Sequence, residues 1–391
     1  MSSKKSGFKV RELIFPVYLP AALFSISEGG LMPIIPASAE RLGADLPTAA
    51  FVTGLLMFGT VFADLPAAKL VNRLGERRSM IAASIFGAIG LAISFLATNL
   101  FVLSAGLFVV GAAAAVFGLA RHAYVTETVP FEFRARALSL LGGMFRLGMF
   151  VGPLIGAGLY ALGGIVAVYV MSISFALAAG VFLLFTNPEK MPDTELHTGA
   201  IWTVAKKNRK ELATLGVAAA ILALARTVRN IGLPLWALHI GLDAGQASLF
   251  IGIAGALDFA LFYVGGKAID KRGRKFAAVP TYVATGIGLA ILAFTFDGST
   301  FILAALFLSV ANAMGSGLIM VIGADLAPDR TRNQFLAAYR LMLDGGIAVA
   351  APSLSILTLF FGLGTGIIAL GGVSVFGGYL MARYLPKFGI K

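Results

Sequence analysis

Long apolar stretches alternate with short polar turns along most of this chain. Each stretch is close to the roughly 20 apolar residues that an α-helix needs to cross a bilayer. The pattern predicts twelve membrane-spanning helices, numbered here as spans 1 to 12, at residues 13–36, 49–71, 79–97, 101–125, 137–161, 165–186, 212–236, 246–265, 276–296, 299–325, 335–361 and 366–384. The longest polar stretch separates the first six spans from the last six. We therefore expect an N-terminal bundle at 1–190, a cytoplasmic linker at 191–211 and a C-terminal bundle at 212–391.

The second half of the chain repeats the first at a constant offset of 198 residues. The offset pairs Gly43 with Gly241, Asp45 with Asp243, Gly54 with Gly252, Gly75 with Gly273, and Gly148 with Gly346. Membrane proteins built from two such repeats are typically transporters that bind substrate between the repeats, near the bilayer midplane. The repeat predicts an all-α fold of two pseudo-symmetric halves with a site between them.

Composition agrees with a polytopic membrane protein. Apolar residues make up 58% of the chain and charged residues 13%, and the mean hydropathy is +0.90; a soluble domain has about 25% charged residues. The chain has no cysteine, which excludes disulfides and thiolate metal sites. Its three histidines are too scattered for a metal site, and no phosphate-binding loop or nucleophile–base pair is evident. We expect no enzyme activity and no cofactor, with a proton gradient as the energy source.

The net charge of +12 is a topology signal rather than a sign of nucleic-acid binding. If the N-terminus is cytoplasmic, 25 of the 31 lysines and arginines lie in or beside cytoplasmic segments, and only Arg41 lies in a loop on the other side. This asymmetry follows the positive-inside rule. The first apolar run is too long for a signal peptide and contains Glu28, so we interpret it as an uncleaved helix. We expect a monomer in the cell membrane, in contact with lipid, with both termini cytoplasmic.

Two basic turns carry a family resemblance. Residues 266–275 read GKAIDKRGRK, and the equivalent turn at 68–78 reads AKLVNRLGERR. Together they resemble the loop motif of the major facilitator superfamily, whose fold has twelve helices in two halves. The motif positions are Asn72, Arg73, Gly75 and Arg77 in the first copy and Gly266, Asp270, Gly273 and Arg274 in the second. The family has an aspartate where this chain has Asn72, so the resemblance implies a charged cytoplasmic latch only at Asp270.

Span 5 carries a second resemblance. Gly148, Gly152, Pro153 and Gly156 are small or helix-bending residues, and small residues four apart allow helices to pack closely. The pattern resembles the motif of the drug:proton antiporter branch of the superfamily, which implies efflux by a proton-coupled antiporter. That branch usually has an arginine in span 4 where this chain has Leu107. Arg121 lies closer to the cytoplasmic end of the same span, so the role of that arginine is not transferred to it.

Ionisable residues inside the predicted spans are candidates for the functional site, because charges in lipid are costly. They are Glu28, Asp64, Arg121, Arg146, Arg226, Arg229, Asp258, Arg340 and Asp344. At the 198-residue offset Glu28 is equivalent to Arg226, and Arg146 is equivalent to Asp344. Equivalent positions of the two halves therefore carry charges of opposite sign.

The family fold implies that spans 1, 4, 7 and 10 line one cavity, so Glu28 and Arg226 would both face it. We predict that Glu28 binds the proton and that Arg226 and Arg229 engage either Glu28 or the substrate, with Arg121 in the same cavity. A permanent ion pair is the alternative, because buried pairs often serve specificity. The two arginines would suit an anionic substrate group better than a lipophilic cation.

The family fold also implies that span 2 faces span 11 and span 5 faces span 8. We therefore expect salt bridges between the halves, Arg146 with Asp258 and Asp64 with Arg340, with Asp344 joining the second. We expect these pairs to act as gates or structural links rather than as substrate contacts. The predicted function is proton-coupled export of a small amphipathic molecule by alternating access. An uptake symporter or facilitator of an organic anion, and a non-transporting scaffold of the same fold, are the alternatives.

Overall fold

The computed structural model describes residues 13–186 and 199–389, and nearly all of these residues are helical. Eleven helices are long and apolar enough to cross a membrane. One of them, Phe131–Leu184, is interrupted by non-helical backbone at Gly163 and Gly164, so the bundle has twelve spans, as predicted. We name them α1 (Ile14–Arg41), α2 (Leu46–Leu74), α3 (Glu76–Phe95), α4 (Leu100–Thr128), α5 (131–162), α6 (165–184), α7 (Arg209–His239), α8 (Ala244–Arg272), α9 (Arg274–Leu292), α10 (Gly298–Leu326), α11 (Arg332–Phe361) and α12 (Leu363–Tyr384).

The same residue types end and begin helices in both halves. The turns after α1 and α7 contain Gly43 and Gly241, with φ of 87° and 79°, values that favour glycine because it has no Cβ. The next helices begin at Asp45 and Asp243, whose carboxylates accept hydrogen bonds from backbone N–H groups of the first turn. The 198-residue repeat is therefore a repeat of backbone geometry.

Two of the three buried clusters belong to one half each. One contains residues of all six helices from α1 to α6, at the end where α1 begins, and includes Val17, Val71 and Phe117. Its counterpart contains residues of all six helices from α7 to α12 and includes Leu215, Ile269 and Phe335. Neither cluster contains residues of the other half, so the halves share no core at this end of the bundle.

The third cluster joins both halves at the opposite end of the bundle. Here α2 packs on α11 and α5 packs on α8. A Cβ on Gly54 of α2 would lie 1.9 Å from the Cβ of Ala351 on α11, and a Cβ on Gly252 of α8 would lie 2.7 Å from Cδ2 of Leu154 on α5. The repeated glycines thus allow the closest contacts between the halves. Among the described residues, the halves share a buried core at the α1–α2 end and none at the end where the linker helix lies. We call these the closed end and the open end of the bundle.

The linker helix, Gly199–Lys207, leads into α7 and packs against α11. The basic residues at 4–11, the linker residues 187–198 and Lys391 lie outside the described residues. The first residues of α3 and α9, Glu76 and Arg274, occupy equivalent positions in the two halves but carry opposite charges. Arg274 Nε donates to Asp325 Oδ2 at 2.8 Å, whereas at the equivalent positions the carboxyl groups of Glu76 and Glu127 interact with each other.

Candidate functional site

A cavity of about 270 Å³ lies between the two halves. The N-terminal half contributes mainly apolar groups to it, from α1 and α5, including Met32 and Met149. The C-terminal half contributes most of the polar and charged groups: Arg226, Arg229, Asn230, Asp258 and Asn312. Arg146 of α5 also lines the cavity. The site is therefore amphipathic, with an apolar wall opposite a wall rich in arginine.

A break in α10 positions two of these arginines. The helix is interrupted between Met314 and Leu318, where Gly317 has a φ of +76°. The carbonyl oxygen of Gly315 accepts a hydrogen bond from Arg226 Nη2 at 2.7 Å, and Ser316 Oγ accepts one from Arg146 Nη2 at 3.0 Å. Gly315 O also accepts a hydrogen bond from Leu318 N at 3.2 Å, so the carbonyl is shared between the turn and Arg226. The sequence predicts a continuous span 10, and this break is a finding of the structure.

Arg146 and Asp258 form an ion pair between the halves. Arg146 Nη1 lies 2.6 Å from Asp258 Oδ2, and the two side chains are only 22% and 13% exposed. The second carboxylate oxygen, Oδ1, accepts a hydrogen bond from Asn312 Nδ2 at 2.9 Å. Arg146 also stacks over the ring of Phe262, 5.5 Å from its centroid. Both oxygens of Asp258 are thus engaged by Arg146 and Asn312.

Arg226 and Arg229 lie one helical turn apart on α7. Each is tethered through Nη2 to a neutral oxygen of α10: Arg226 to the carbonyl of Gly315 and Arg229 to Ser309 Oγ, at 2.9 Å. Among the described residues, the buried Nε of each arginine has no hydrogen-bond partner, and no carboxylate lies within ion-pair distance of either guanidinium. The structure thus presents two arginines that are oriented but not neutralised.

The charged neighbour of Glu28 is not the arginine that the sequence suggested. Arg121 of α4, in the same half, is the charged group that acts electrostatically on Glu28, and Arg226 is not. Glu28 and Arg121 are not among the described residues that line the cavity, although Gly29 is. Arg121 lies over the ring of Phe145, which does line it, with 5.3 Å between the guanidinium carbon and the ring centroid. Among the described residues no ion pair joins Glu28 to Arg226, whose Nη2 donates to the carbonyl of Gly315 instead. Engagement of the substrate by Arg226, the other expectation, stays a prediction.

The second predicted pair joins α2 and α11. Arg340 Nη2 lies 3.1 Å from Asp64 Oδ2, and Arg340 Nε lies 3.9 Å from Asp344 Oδ2. Arg340 is 61% exposed, whereas the two carboxylates are mostly covered. The arginine is therefore largely exposed while it bridges the halves.

The span 5 glycines pack against α1 next to Glu28. A Cβ on Gly148 would lie 2.4 Å from Ser25 Cβ, and a Cβ on Gly152 would lie 2.4 Å from the carbonyl oxygen of Ile26. Pro153 lies inside α5 and lines the cavity, and Gly156 faces α1 at ordinary contact distance. The motif thus serves close packing of α1 on α5.

The basic turns lie at the open end. Gly75 and Gly273 have φ of 80° and 88° and separate α2 from α3 and α8 from α9. Arg77 donates from Nε and Nη2 to the last carbonyls of α6, each at 2.8 Å. Arg73 is exposed, Asn72 is half-buried, and Gly266 has open space beside it. The side chain of Asp270 lies outside the described part of the chain.

A two-fold bundle of twelve spans with a cavity between its halves has the architecture of a secondary transporter. Residues 17–351 match the family model described as Major Facilitator Superfamily, and the chain belongs to that superfamily. The described part of the chain is accordingly a multi-pass integral membrane protein of this superfamily.

Similar proteins support this assignment. The chain is 24% identical over 372 residues to "Uncharacterized MFS-type transporter YdeG" of Bacillus subtilis (strain 168), which covers 89% of this chain and 84% of YdeG. It is 27% identical over 147 residues to an uncharacterized MFS-type transporter of Mycobacterium tuberculosis (strain ATCC 25618 / H37Rv), covering 38% of this chain and 21% of that protein.

Two solved structures share the fold. A D-xylose-proton symporter superposes with a TM-score of 0.77 at 16% identity and covers 97% of this chain and 99% of that one. The peptide transporter POT in complex with sulfate superposes with a TM-score of 0.77 at 12% identity and covers 98% and 99% of the two chains. At these identities the likeness concerns the fold alone.

Proposed function

We propose that this chain exports a small amphipathic molecule across the cell membrane by proton-coupled alternating access. The cavity between the halves carries the proposal, because it offers an apolar wall and a polar wall to one ligand. Pockets of this kind bind small molecules through apolar contact and orient them through a few polar groups. Binding between two pseudo-symmetric halves is also the usual arrangement in transporters built from repeats.

Alternating access requires that each end of the bundle can open in turn. The halves share a core at the α1–α2 end and have separate cores at the linker end, as expected for one state of a rocking cycle. The basic turns lie at the open end, so the positive-inside rule supports a cytoplasmic orientation for it. In this proposal the structure corresponds to the inward-open state, with both termini in the cytoplasm.

Proton coupling is assigned to Glu28. This carboxylate lies inside α1, beside the cavity-lining Gly29, with Arg121 as its charged partner. Separation of Glu28 from Arg121 during the cycle would favour uptake of a proton, because a carboxylate without a cation is costly in an apolar environment. Packing of α1 on the α5 glycines couples any movement of Glu28 to the wall that contacts the substrate.

The direction of transport rests on the resemblance of the α5 motif to that of antiporters. Uptake of an organic anion is a second candidate, favoured by the two arginines without carboxylate partners. The two candidates respond differently to a proton gradient. An antiporter moves substrate against the direction of proton flow, and a symporter moves it in the same direction.

The test is transport in proteoliposomes with an imposed pH gradient and a panel of labelled drugs and organic acids. Acidification of one side should drive substrate towards that side if the protein is an antiporter. Glu28→Gln should retain substrate exchange at equal pH but lose accumulation driven by the gradient. Full gradient-driven accumulation by Glu28→Gln would overturn the coupling role.

A further inference from the structure

We propose that the transported molecule carries an anionic oxygen group, a carboxylate, sulfonate or phosphate, that binds between Arg226 and Arg229. The inference rests on the proposed function, since it names the class of substrate for the same cavity. The tests below are chosen so that binding of the anion and transport are measured separately.

The first argument is the charge of the cavity wall. Three arginines and one carboxylate line the cavity: Arg146, Arg226, Arg229 and Asp258. Asp258 is already engaged through both oxygens, by Arg146 and by Asn312. Two positive charges of α7 therefore lack a carboxylate partner among the described residues. Charges held in a poorly solvated site are costly unless they are paired, so the wall favours a ligand of opposite sign.

The second argument is the orientation of the two arginines. Residues three apart on a helix lie on the same face, so both guanidinium groups approach the cavity from one side of α7. Their bonds to Gly315 O and Ser309 Oγ use Nη2 and involve neutral acceptors, which fix the side chains without cancelling their charge. Each arginine keeps donors that no described protein group uses. An oxyanion accepts several such charge-assisted hydrogen bonds at once.

The third argument is the opposite wall. Met32 of α1 and Phe145 and Met149 of α5 offer apolar contact within the same cavity. A ligand with an apolar body and one anionic end satisfies both walls. A lipophilic cation would contact the apolar wall equally well, but its charge would face Arg226 and Arg229.

The first test measures the potential in the cavity without any substrate. The chain contains no cysteine, so Asn230→Cys gives a single reactive thiol that faces the cavity. The purified full chain in detergent is reacted with negatively and positively charged methanethiosulfonate reagents of similar size. We expect the anionic reagent to react about tenfold faster, after normalisation to Ser299→Cys at the exposed start of α10. Equal rates, or a faster cationic reagent, would overturn the proposal.

The second test measures binding of three matched probes: 2-naphthoate, 2-naphthamide and 2-naphthylmethylammonium. Because a ligand that binds the native state stabilises it, naphthoate should raise the melting temperature of the full chain. The neutral amide and the ammonium compound should raise it much less. Arg226→Gln and Arg229→Gln should each weaken the effect of the anion about tenfold or more, because hydrogen bonds to charged groups are strong. Arg383→Gln, which removes an exposed charge outside the cavity, should leave it unchanged.

The outcomes separate the inference from the proposed function. Anion binding that depends on the two arginines supports the inference even if proteoliposomes show no proton-driven transport, in which case the proposed function fails. Transport of neutral or cationic molecules with no effect of the anion overturns the inference and leaves the proposed function standing. Failure of naphthoate, naphthalenesulfonate and naphthyl phosphate alike to stabilise the protein also overturns it.

Discussion

Substitution of a single glycine at the closed end should open it. Gly54 of α2 lies against Ala351 of α11, and a Cβ added to Gly54 would lie 1.9 Å from the Cβ of Ala351. Carbon atoms pack at about 3.5–4.0 Å, so Gly54→Ala requires α2 and α11 to separate by roughly 2 Å. The nearby hydrogen bond from Ser355 Oγ to the carbonyl of Pro47, now 2.8 Å, also joins these two helices and would be strained.

The expected size of the effect follows from the cost of overpacking. An extra methyl group in a well-packed interface costs about 1–3 kcal/mol. This cost applies only to the state in which the α1–α2 end is closed. Since about 1.4 kcal/mol is a factor of ten in an equilibrium constant, the population should move roughly fivefold to a hundredfold towards states in which that end is open.

The assay uses Asn230→Cys and a membrane-impermeant maleimide applied to vesicles in which the protein has one known orientation. Gly54→Ala should increase labelling from the α1–α2 side at least about fivefold, and Ala351→Gly added to it should restore the original labelling. Gly345→Ala on α11, where no atom lies within 4 Å of the new Cβ, is the matched control. Unchanged labelling in Gly54→Ala, or failure of Ala351→Gly to rescue it, would refute the reasoning.

Three further predictions concern single contacts. Asp258→Ala should lower the free energy of unfolding by about 3 kcal/mol, because Arg146 is left with a partly buried charge and no partner carboxylate. The double variant Arg146→Met with Asp258→Leu should recover most of this stability, and thermal unfolding of the single and double variants measures it. Gly315→Ala would place a Cβ 2.8 Å from Arg226 Nη2 and should weaken stabilisation by naphthoate about tenfold with the fold intact. Hydrogen bonds from Thr48 hold the pKa of Asp45 below its usual range. The Asp45 carboxylate therefore stabilises the fold fully above about pH 4, and this stabilisation is lost as the pH falls through the lowered pKa. In melting temperatures measured from pH 7 to 3, Asp45→Asn should remove this part of the pH dependence.

These predictions have clear contrary outcomes. Equal stability of Asp258→Ala and the double variant would show that the cost does not come from an uncompensated arginine. A Gly315→Ala protein that binds naphthoate normally would show that the α10 carbonyl does not position Arg226. Parallel melting curves for Asp45→Asn and the unaltered chain at every pH would exclude a contribution of the Asp45 carboxylate.

The architecture was predictable because the repeated residues have strong backbone preferences. Glycines at 43 and 241 adopt positive φ, and aspartates at 45 and 243 begin helices, so matching letters implied matching geometry. Gly54 and Gly252 also repeated, but the sequence did not indicate that they lie at the contact between the halves. That role depends on which end of the bundle is closed, which is a property of the state and not of a single segment.

The charged site was only partly predictable. The contacts of Arg146 with Asp258 and of Asp64 with Arg340 follow from facing helices and similar depth. The charged neighbour of Glu28 is Arg121 of the same half, which similar depth in the bilayer alone did not indicate. The residues that the sequence analysis missed include Ser309, Asn312 and Gly315. The Gly-Ser-Gly stretch at 315–317 was the available signal for the break.

The break in α10 gives the binding wall a hinge on one side. The anchors of the α7 arginines, Ser309 and Gly315, precede Gly317, whereas Leu318–Leu326 follows it towards the open end. Rotation of the backbone at Gly317 would therefore move Leu318–Leu326 while Ser309 and Gly315 keep their hydrogen bonds to the arginines. Movement of Leu318–Leu326 and binding of the ligand by the α7 arginines would then be independent of each other. An alanine at position 317 would be strained at a φ of +76°, so Gly317→Ala should lower the rate of transport but leave naphthoate binding unchanged. Weaker naphthoate binding in that variant would argue against such independence.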